Sequence, residues 1–221
     1  MSGSLSSEVR TDTGGTKMRI GILGTGMVAT ALGSAWARAG HEVVVGGRSP
    51  EKARALAAEW GARAATPREV AVESDAVLLA VLWDGVDDML RLAGAAEGTL
   101  SGKPLMDATN AVDHGIGVLH RANAEHVAET AIGAQVVKAF HLYPAEQWNG
   151  DTSGVVVPLS GDDEGALAVV SGLVRDTGAE PWHFGKLDSA RQLEEVAGFV
   201  IRLFFAGADP RAAIPGRSRR G

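Results

Sequence analysis

Residues 18–48 constrain the fold of this chain more than any other segment. An apolar run at 19–23 leads into a G-x-G-x-x-A turn at 24–29, and a second apolar run follows at 42–45. Strand, glycine turn, helix and strand in this order form the fingerprint of a dinucleotide-binding unit. The exposed N–H groups and the dipole of the helix would hold a pyrophosphate. We therefore predict that it contacts Gly24, Thr25, Gly26, Met27 and Val28.

The end of the second strand predicts which dinucleotide is bound. An NAD-binding unit places Asp or Glu there for the ribose 2′-hydroxyl, but this chain has glycine at 46–47. Arg48 and Ser49 follow, with Lys52 one helical turn on. A guanidinium pairs with a 2′-phosphate and a serine hydroxyl adds a hydrogen bond, which predicts NADP(H). Alternatively, Arg48 is a solvated loop cation and Ser49 only caps a helix; the two interpretations are compatible.

Composition limits the remaining possibilities. The chain of 221 residues is 45% hydrophobic and suits one α/β domain with an appendage. Its formal charge of −6 argues against nucleic-acid or membrane partners. With no cysteine, disulfides and thiol chemistry are excluded, and a cytoplasmic location is expected. The histidines lack metal-ligand spacing and no apolar run is long enough to span a membrane, so we expect neither a metal site nor a membrane segment.

Strands and helices alternate along the whole chain. We expect strands at 62–65, 75–82, 103–109, 135–140, 154–159 and 180–184, and helices at 50–60, 84–95, 117–130, 162–177 and 188–205. This alternation predicts an α/β fold of Rossmann type: a doubly wound, mostly parallel sheet with a small carboxyl-terminal α/β lobe and a long final helix. The sequence predicts four segments: a disordered leader (1–17), a dinucleotide-binding domain (18–150), the small lobe (151–210) and a flexible basic tail (211–221).

Parallel strands place their carboxyl ends at one edge, where ligands bind. Nicotinamide-ribose contacts are expected there from Val81, Leu82 and Trp83, although a tryptophan at a strand end is more often a packing residue. Thr109 and Asn110 could hold the carboxamide or the ribose. On the final helix, Arg191, Glu194 and Glu195 have the spacing of a solvated face with ion pairs.

Residues 138–148 are the best candidate for binding a second substrate. His141 could donate a proton or a hydrogen bond, because its unperturbed pKa leaves both protonation states available near neutrality. It could equally be a structural histidine at a strand end. Tyr143 is the second candidate catalytic residue. Gln147 stands four positions after it, so the Tyr-x-x-x-Lys pair of short-chain dehydrogenases is absent.

The chain resembles the NADP oxidoreductases that depend on the deazaflavin coenzyme F420. The likeness includes IGILGTGMVATALGSAWARAGHEVVVGGRSPEKA, DAVLLAVLWDGV, MDATN, VVKAFHLYPA, VVVPLSGDDE and LDSARQLEEVAGFVIRLFF. The resemblance implies that a deazaflavin docks over the nicotinamide and that hydride passes directly between the rings. It also implies homodimers or larger homo-oligomers built with the final helix. Family members often have proline where Leu82 stands. The implied ring contacts are Ala139, His141, Pro144 and Ala145.

Three functions remain open at this point. The first is hydride transfer between NADPH and a deazaflavin. The second is NADPH-dependent reduction of a small imine or carbonyl substrate, with His141 or Tyr143 delivering the proton. The third is an NADP-binding module without turnover.

Overall fold

The computed structural model of the protein describes residues 17–113 and 116–214. Its described strands form one eight-stranded sheet in the order β3-β2-β1-β4-β5-β6-β7-β8. The first six are parallel, β7 is antiparallel to β6, and β8 is parallel to β7. The predicted α/β class is confirmed. The strands are β1 (Arg19–Leu23), β2 (Glu42–Gly46), β3 (Arg63–Ala64), β4 (Ala76–Leu79), β5 (Pro104–Asp107), β6 (Gln135–Lys138), β7 (Val156–Gly161) and β8 (Glu180–Gly185).

Local sequence signals explain where several helices begin and end. Ser49 caps α2 by accepting a hydrogen bond from the Lys52 N–H, and Gly61 ends it in the left-handed region. Thr66 and Glu69 form a capping box at the start of α3. The helices are α1 (Met27–Arg38), α2 (Pro50–Trp60), α3 (Pro67–Glu73), α4 (Val86–Ala93), α5 (Asn123–Thr130), α6 (Glu164–Arg175), α7 (Ala190–Phe205) and α8 (Pro210–Ala213).

Helices cover both faces of the sheet, so alternate side chains of the central strands enter two separate cores. Ile20 and Ile22 of β1 pack in the core beneath α1, α2 and α6, whereas Leu23 packs beneath α3, α4 and α5. The buried Trp36 indole of α1 donates to the Leu173 carbonyl of α6 at 2.9 Å, joining two helices of one layer. This double burial explains the nearly continuous apolar runs of the central strands.

One predicted helix begins later than expected. The sequence predicted helix over 117–130, but α5 starts only at Asn123. The preceding residues form a loop with a bridge between Val112 and Leu119. Gly117 has φ +72°, and a Cβ there would lie 2.2 Å from the Gly198 carbonyl oxygen of α7. A positive φ and this close backbone contact favour a glycine-containing loop over another helical turn.

The carboxyl-terminal part continues the main sheet, because β7 and β8 extend it beyond β6. The predicted leader lies outside the described residues except for Lys17, as do residues 215–221 of the predicted tail. Within the described ranges, no helix has the length and apolar character required to cross a bilayer.

Candidate dinucleotide-binding site

The glycine turn after β1 is fixed by backbone packing. Gly24 has φ +141°, and a Cβ on it would lie 2.1 Å from the Ala80 carbonyl oxygen. Its N–H donates to the Gly46 carbonyl at 2.9 Å, which ties the turn to the end of β2. Any larger residue at position 24 would therefore separate the turn from β4, and its φ would also be strained.

The amino end of α1 is open to a ligand. Gly26 caps the helix without a side-chain hydrogen bond, and the first turn carries no acidic residue. A Cβ on Gly26 would meet no atom within 4 Å. Free backbone donors, a helix dipole and open space fit an anionic pyrophosphate.

The missing carboxylate at the end of β2 has a steric explanation. A Cβ on Gly46 would lie 2.9 Å from Val70 Cγ2, and one on Gly47 would lie 2.8 Å from Thr25 Cγ2. Arg48 follows with an exposed side chain. Its guanidinium lies near Gly85, where a Cβ would be 3.8 Å from Nη2. Within the described ranges no carboxylate forms a salt bridge with Arg48, so its charge can meet a phosphate.

A cavity of about 310 Å³ lies between the glycine turn and the short 3-10 helix at 145–149. Sequence reasoning missed three of the residues that line it. Thr30 stands one helical turn after Gly26, so helical spacing alone could have found it. The others belong to the 3-10 helix, whose position over α1 no local pattern reveals. The lining residues are Thr25, Gly26, Met27, Thr30, Ala145, Glu146 and Asn149.

The chain enters the candidate second-substrate segment through an unusual backbone conformation. Phe140 has φ +61°, which is a genuine outlier for a bulky residue. Its buried ring packs edge-on against Trp36 at 5.7 Å and Trp148 at 5.4 Å between ring centroids. The turn brings the His141 carbonyl to 2.9 Å from Asn110 Nδ2. Such strain persists only where surrounding packing holds it, and it is common at functional sites.

His141 lies in a buried environment and is neutral. Only 6% of the residue is exposed, and neither ring nitrogen has a hydrogen-bond partner among the described residues. Burial, together with the nearby Lys138 ammonium, holds the pKa of His141 well below 6.5. The sequence suggested that both protonation states would be available, but burial leaves the neutral imidazole. Asn110 Oδ1 is also buried without a partner.

Thr109 belongs to a buried polar network instead of facing the crevice. Its N–H and hydroxyl donate to Asp107 Oδ1 at 2.9 and 2.6 Å, and its hydroxyl also accepts from Asn123 Nδ2. Because its N–H and hydroxyl are engaged in this network, Thr109 is not free to hold a carboxamide, in contrast to what the sequence suggested. Asn110 is the member of this pair that retains an unused acceptor.

Three fully buried charges complete this network. Lys138 Nζ lies 3.0 Å from Asp107 Oδ2 and 2.7 Å from Glu194 Oε1. Glu194 also accepts the N–H groups of Asn123 at 2.9 Å and Ala124 at 3.0 Å, capping α5 from a distant helix. The prediction that Glu194 belongs to a solvated face is therefore wrong. Its predicted neighbours Arg191 and Glu195 do form an exposed pair at 3.2 Å.

The other predicted contacts are spread around the crevice. Trp83 stacks on His120 with ring centroids 5.0 Å apart, so the Trp83 ring already has a stacking partner within the protein. Tyr143 is half-buried and packs edge-on against Trp148 at 5.8 Å. Of the remaining predicted residues, Val28 and Val81 are half-buried, Ala139 is buried, and Leu82, Lys52 and Pro144 are exposed.

A doubly wound sheet with an open glycine turn and a cation after β2 that forms no salt bridge among the described residues defines a dinucleotide-binding domain of the NADP type. The family described as NADP oxidoreductase, coenzyme F420-dependent, matches residues 19–111. This match confirms the resemblance over residues 19–111 and supports NADP(H) as cofactor.

Similar proteins agree with this assignment. The structure of a candidate F420-dependent NADP reductase from Arthrobacter sp. FB24 is 28% identical, covers 87% of this chain and 96% of its own, and has a TM-score of 0.77. The metalloreductase STEAP3 of Rattus norvegicus is 31% identical over 181 residues, which is 80% of this chain. The match covers 36% of STEAP3, so the chain spans about a third of that curated relative. A reductive aminase from Aspergillus terreus in complex with NADPH shares the fold, with 22% identity, coverage of 87% and 64%, and a TM-score of 0.68.

Proposed function

We propose that the protein transfers a hydride between NADPH and an oxidised deazaflavin. The family match supports this, and one observation carries the choice of acceptor: His141, the histidine placed beside the crevice, is buried and neutral. Hydride transfer between two flat rings requires chiefly positioning, so it tolerates the absence of an ionised acid.

Each part of the site would have a distinct task. The amino end of α1 binds the pyrophosphate, and Arg48 with Ser49 binds the 2′-phosphate. Asn110 Oδ1 can accept a hydrogen bond, and neutral His141 can donate one and accept one. This pattern suits the carboxamide of a nicotinamide. Bound NADPH supplies the hydride, and the acceptor takes its proton from solvent.

A second candidate is reduction of a small imine or carbonyl, which requires a protein group to deliver a proton. Tyr143 favours this alternative, because the residue is half-buried and belongs to the same segment as Ala145 and Glu146, which line the cavity. The likeness to STEAP3 makes flavin and ferric acceptors worth testing as well. A binding module without turnover would need none of these polar groups.

The first experiment mixes purified protein with NADPH and oxidised deazaflavin and follows loss of the deazaflavin colour. We expect bleaching with NADPH and much slower bleaching with NADH. A flavin, a ferric chelate and a cyclic imine serve as parallel acceptors, and NADPH binding is measured separately. Tight NADPH binding without bleaching would overturn the deazaflavin proposal.

The His141→Ala variant separates the two enzymatic candidates. Direct transfer between rings predicts that turnover falls less than about ten-fold, because only positioning is lost. A collapse of several hundred-fold would favour a proton-donating role and the imine or carbonyl reaction. The thermal melting of the variant is the control for folding.

We also propose that the protein acts in the cytoplasm as a homodimer or larger homo-oligomer. Apolar side chains of α7 support an association surface: Val196, Phe199 and Phe204 are 41%, 47% and 69% exposed. A contiguous apolar helix face commonly marks such contacts.

A further inference from the structure

The acidic side chain in the first turn of α2 folds back over the start of its own helix. Glu51 Oε2 accepts a hydrogen bond from Ser49 Oγ at 3.1 Å. The carboxylate also accepts from its own backbone N–H, and these two bonds lower the pKa of Glu51. Glu51 is therefore ionised at neutral pH, with its carboxylate on the Ser49 hydroxyl.

Several donors at this helix end already have partners. Pro50 has no N–H, the Lys52 N–H is bonded to Ser49 Oγ at 3.3 Å, and the Ala53 N–H is bonded to the Ser49 carbonyl at 3.2 Å. The Glu51 carboxylate takes the Ser49 hydroxyl and its own N–H. An NADP 2′-phosphate that bonds to the Ser49 hydroxyl must therefore compete with this carboxylate.

We propose that the Glu51 carboxylate is an internal substitute for the 2′-phosphate, so that Glu51 stabilises the empty loop and weakens the binding of NADPH relative to NADH. The inference rests on the proposed binding of NADP(H) at Arg48 and Ser49. When the phosphate binds, the Glu51 carboxylate must give up its two hydrogen bonds. It then remains close to the negatively charged phosphate, which repels it.

The size of the effect follows from charge repulsion in water. At about 4 Å, each unit of negative charge on the phosphate changes a binding constant about five-fold through its repulsion of a carboxylate. The phosphate carries about 1.5 to 2 negative charges at neutral pH. Removing the Glu51 charge should therefore tighten NADPH binding by about ten- to twenty-five-fold. NADH has no 2′-phosphate and should be unaffected.

The test is Glu51→Gln in the full chain, with Glu59→Gln as the matched control. Glu59 is an exposed glutamate at the other end of α2. Calorimetric titration gives Kd values for NADPH, NADH, adenosine 2′-monophosphate and adenosine 5′-monophosphate. We expect tighter binding of NADPH and adenosine 2′-monophosphate only, together with a slightly lower melting temperature. If Glu51 has only a structural role, Glu51→Gln should be less stable than the wild type but should have the same ratio of NADPH to NADH affinity.

Several outcomes would overturn the inference. They are equal changes for NADPH and NADH, weaker NADPH binding in Glu51→Gln, or the same tightening in Glu59→Gln. A wild-type protein that does not prefer NADPH would overturn the proposed cofactor as well. A wild-type preference for NADPH that Glu51→Gln leaves unchanged overturns this inference alone.

Discussion

Replacing Lys138 by methionine tests the buried charge network most directly. The ammonium is the cation shared by Asp107 at 3.0 Å and Glu194 at 2.7 Å, and all three side chains have no exposed surface. Lys138→Met keeps much of the apolar stem but leaves two carboxylates facing each other in the protein interior. Removing one partner of a buried ion pair typically costs about 3–5 kcal/mol. We expect the free energy of unfolding at neutral pH to fall by about this amount.

Urea unfolding and thermal melts measure this loss. For a chain of this size, the expected decrease in Tm is about 6–20 °C. Lys186→Met, at an exposed position, is the control and should change stability by less than about 0.5 kcal/mol. A Lys138→Met variant as stable as the Lys186→Met control would refute the argument from buried charge.

Four other predictions concern the site and its surroundings. Arg48→Ala should raise the Kd for NADPH about ten-fold or more through the loss of a charge-assisted bond, and equal effects on NADH would contradict the assignment. Phe140→Ala and Phe140→Gly should both lower the free energy of unfolding. The loss should be about 1 kcal/mol smaller for the glycine variant, because glycine adopts a positive φ without strain. Denaturant unfolding measures both losses, and a larger loss in the glycine variant would contradict the strain argument. The His141 ring should show no NMR titration between pH 6 and 8, and a midpoint near 6.5 would mean that the ring is solvated. Phe199→Glu should shift the sedimentation of the protein to that of a monomer, whereas an unchanged assembly would place the subunit contact elsewhere.

Local signals predicted the parts of the fold that depend on neighbouring residues. The glycine turn and the cap at Ser49 are both where the sequence placed them. Each depends on residues within one helical turn, so spacing and side-chain chemistry are sufficient to identify it.

Long-range contacts explain what the sequence could not give. Glu194 has the spacing of a surface residue, and only the approach of α7 to β6 shows that it meets Lys138. The neutral state of His141 depends on burial that its own segment does not reveal. The loop before α5 replaces a predicted helical turn because it contacts α7. In each case the deciding partner lies far away along the chain.

The contact between Gly117 and Gly198 limits how relatives of this chain can diverge. A Cβ on either residue would fall within 2.3 Å of the other's carbonyl oxygen. Neither position can accept a larger side chain unless the opposite backbone retreats. We therefore expect these two sites to vary together, or not at all, in an aligned set of homologues. Libraries that randomise one of them alone should yield almost no folded members.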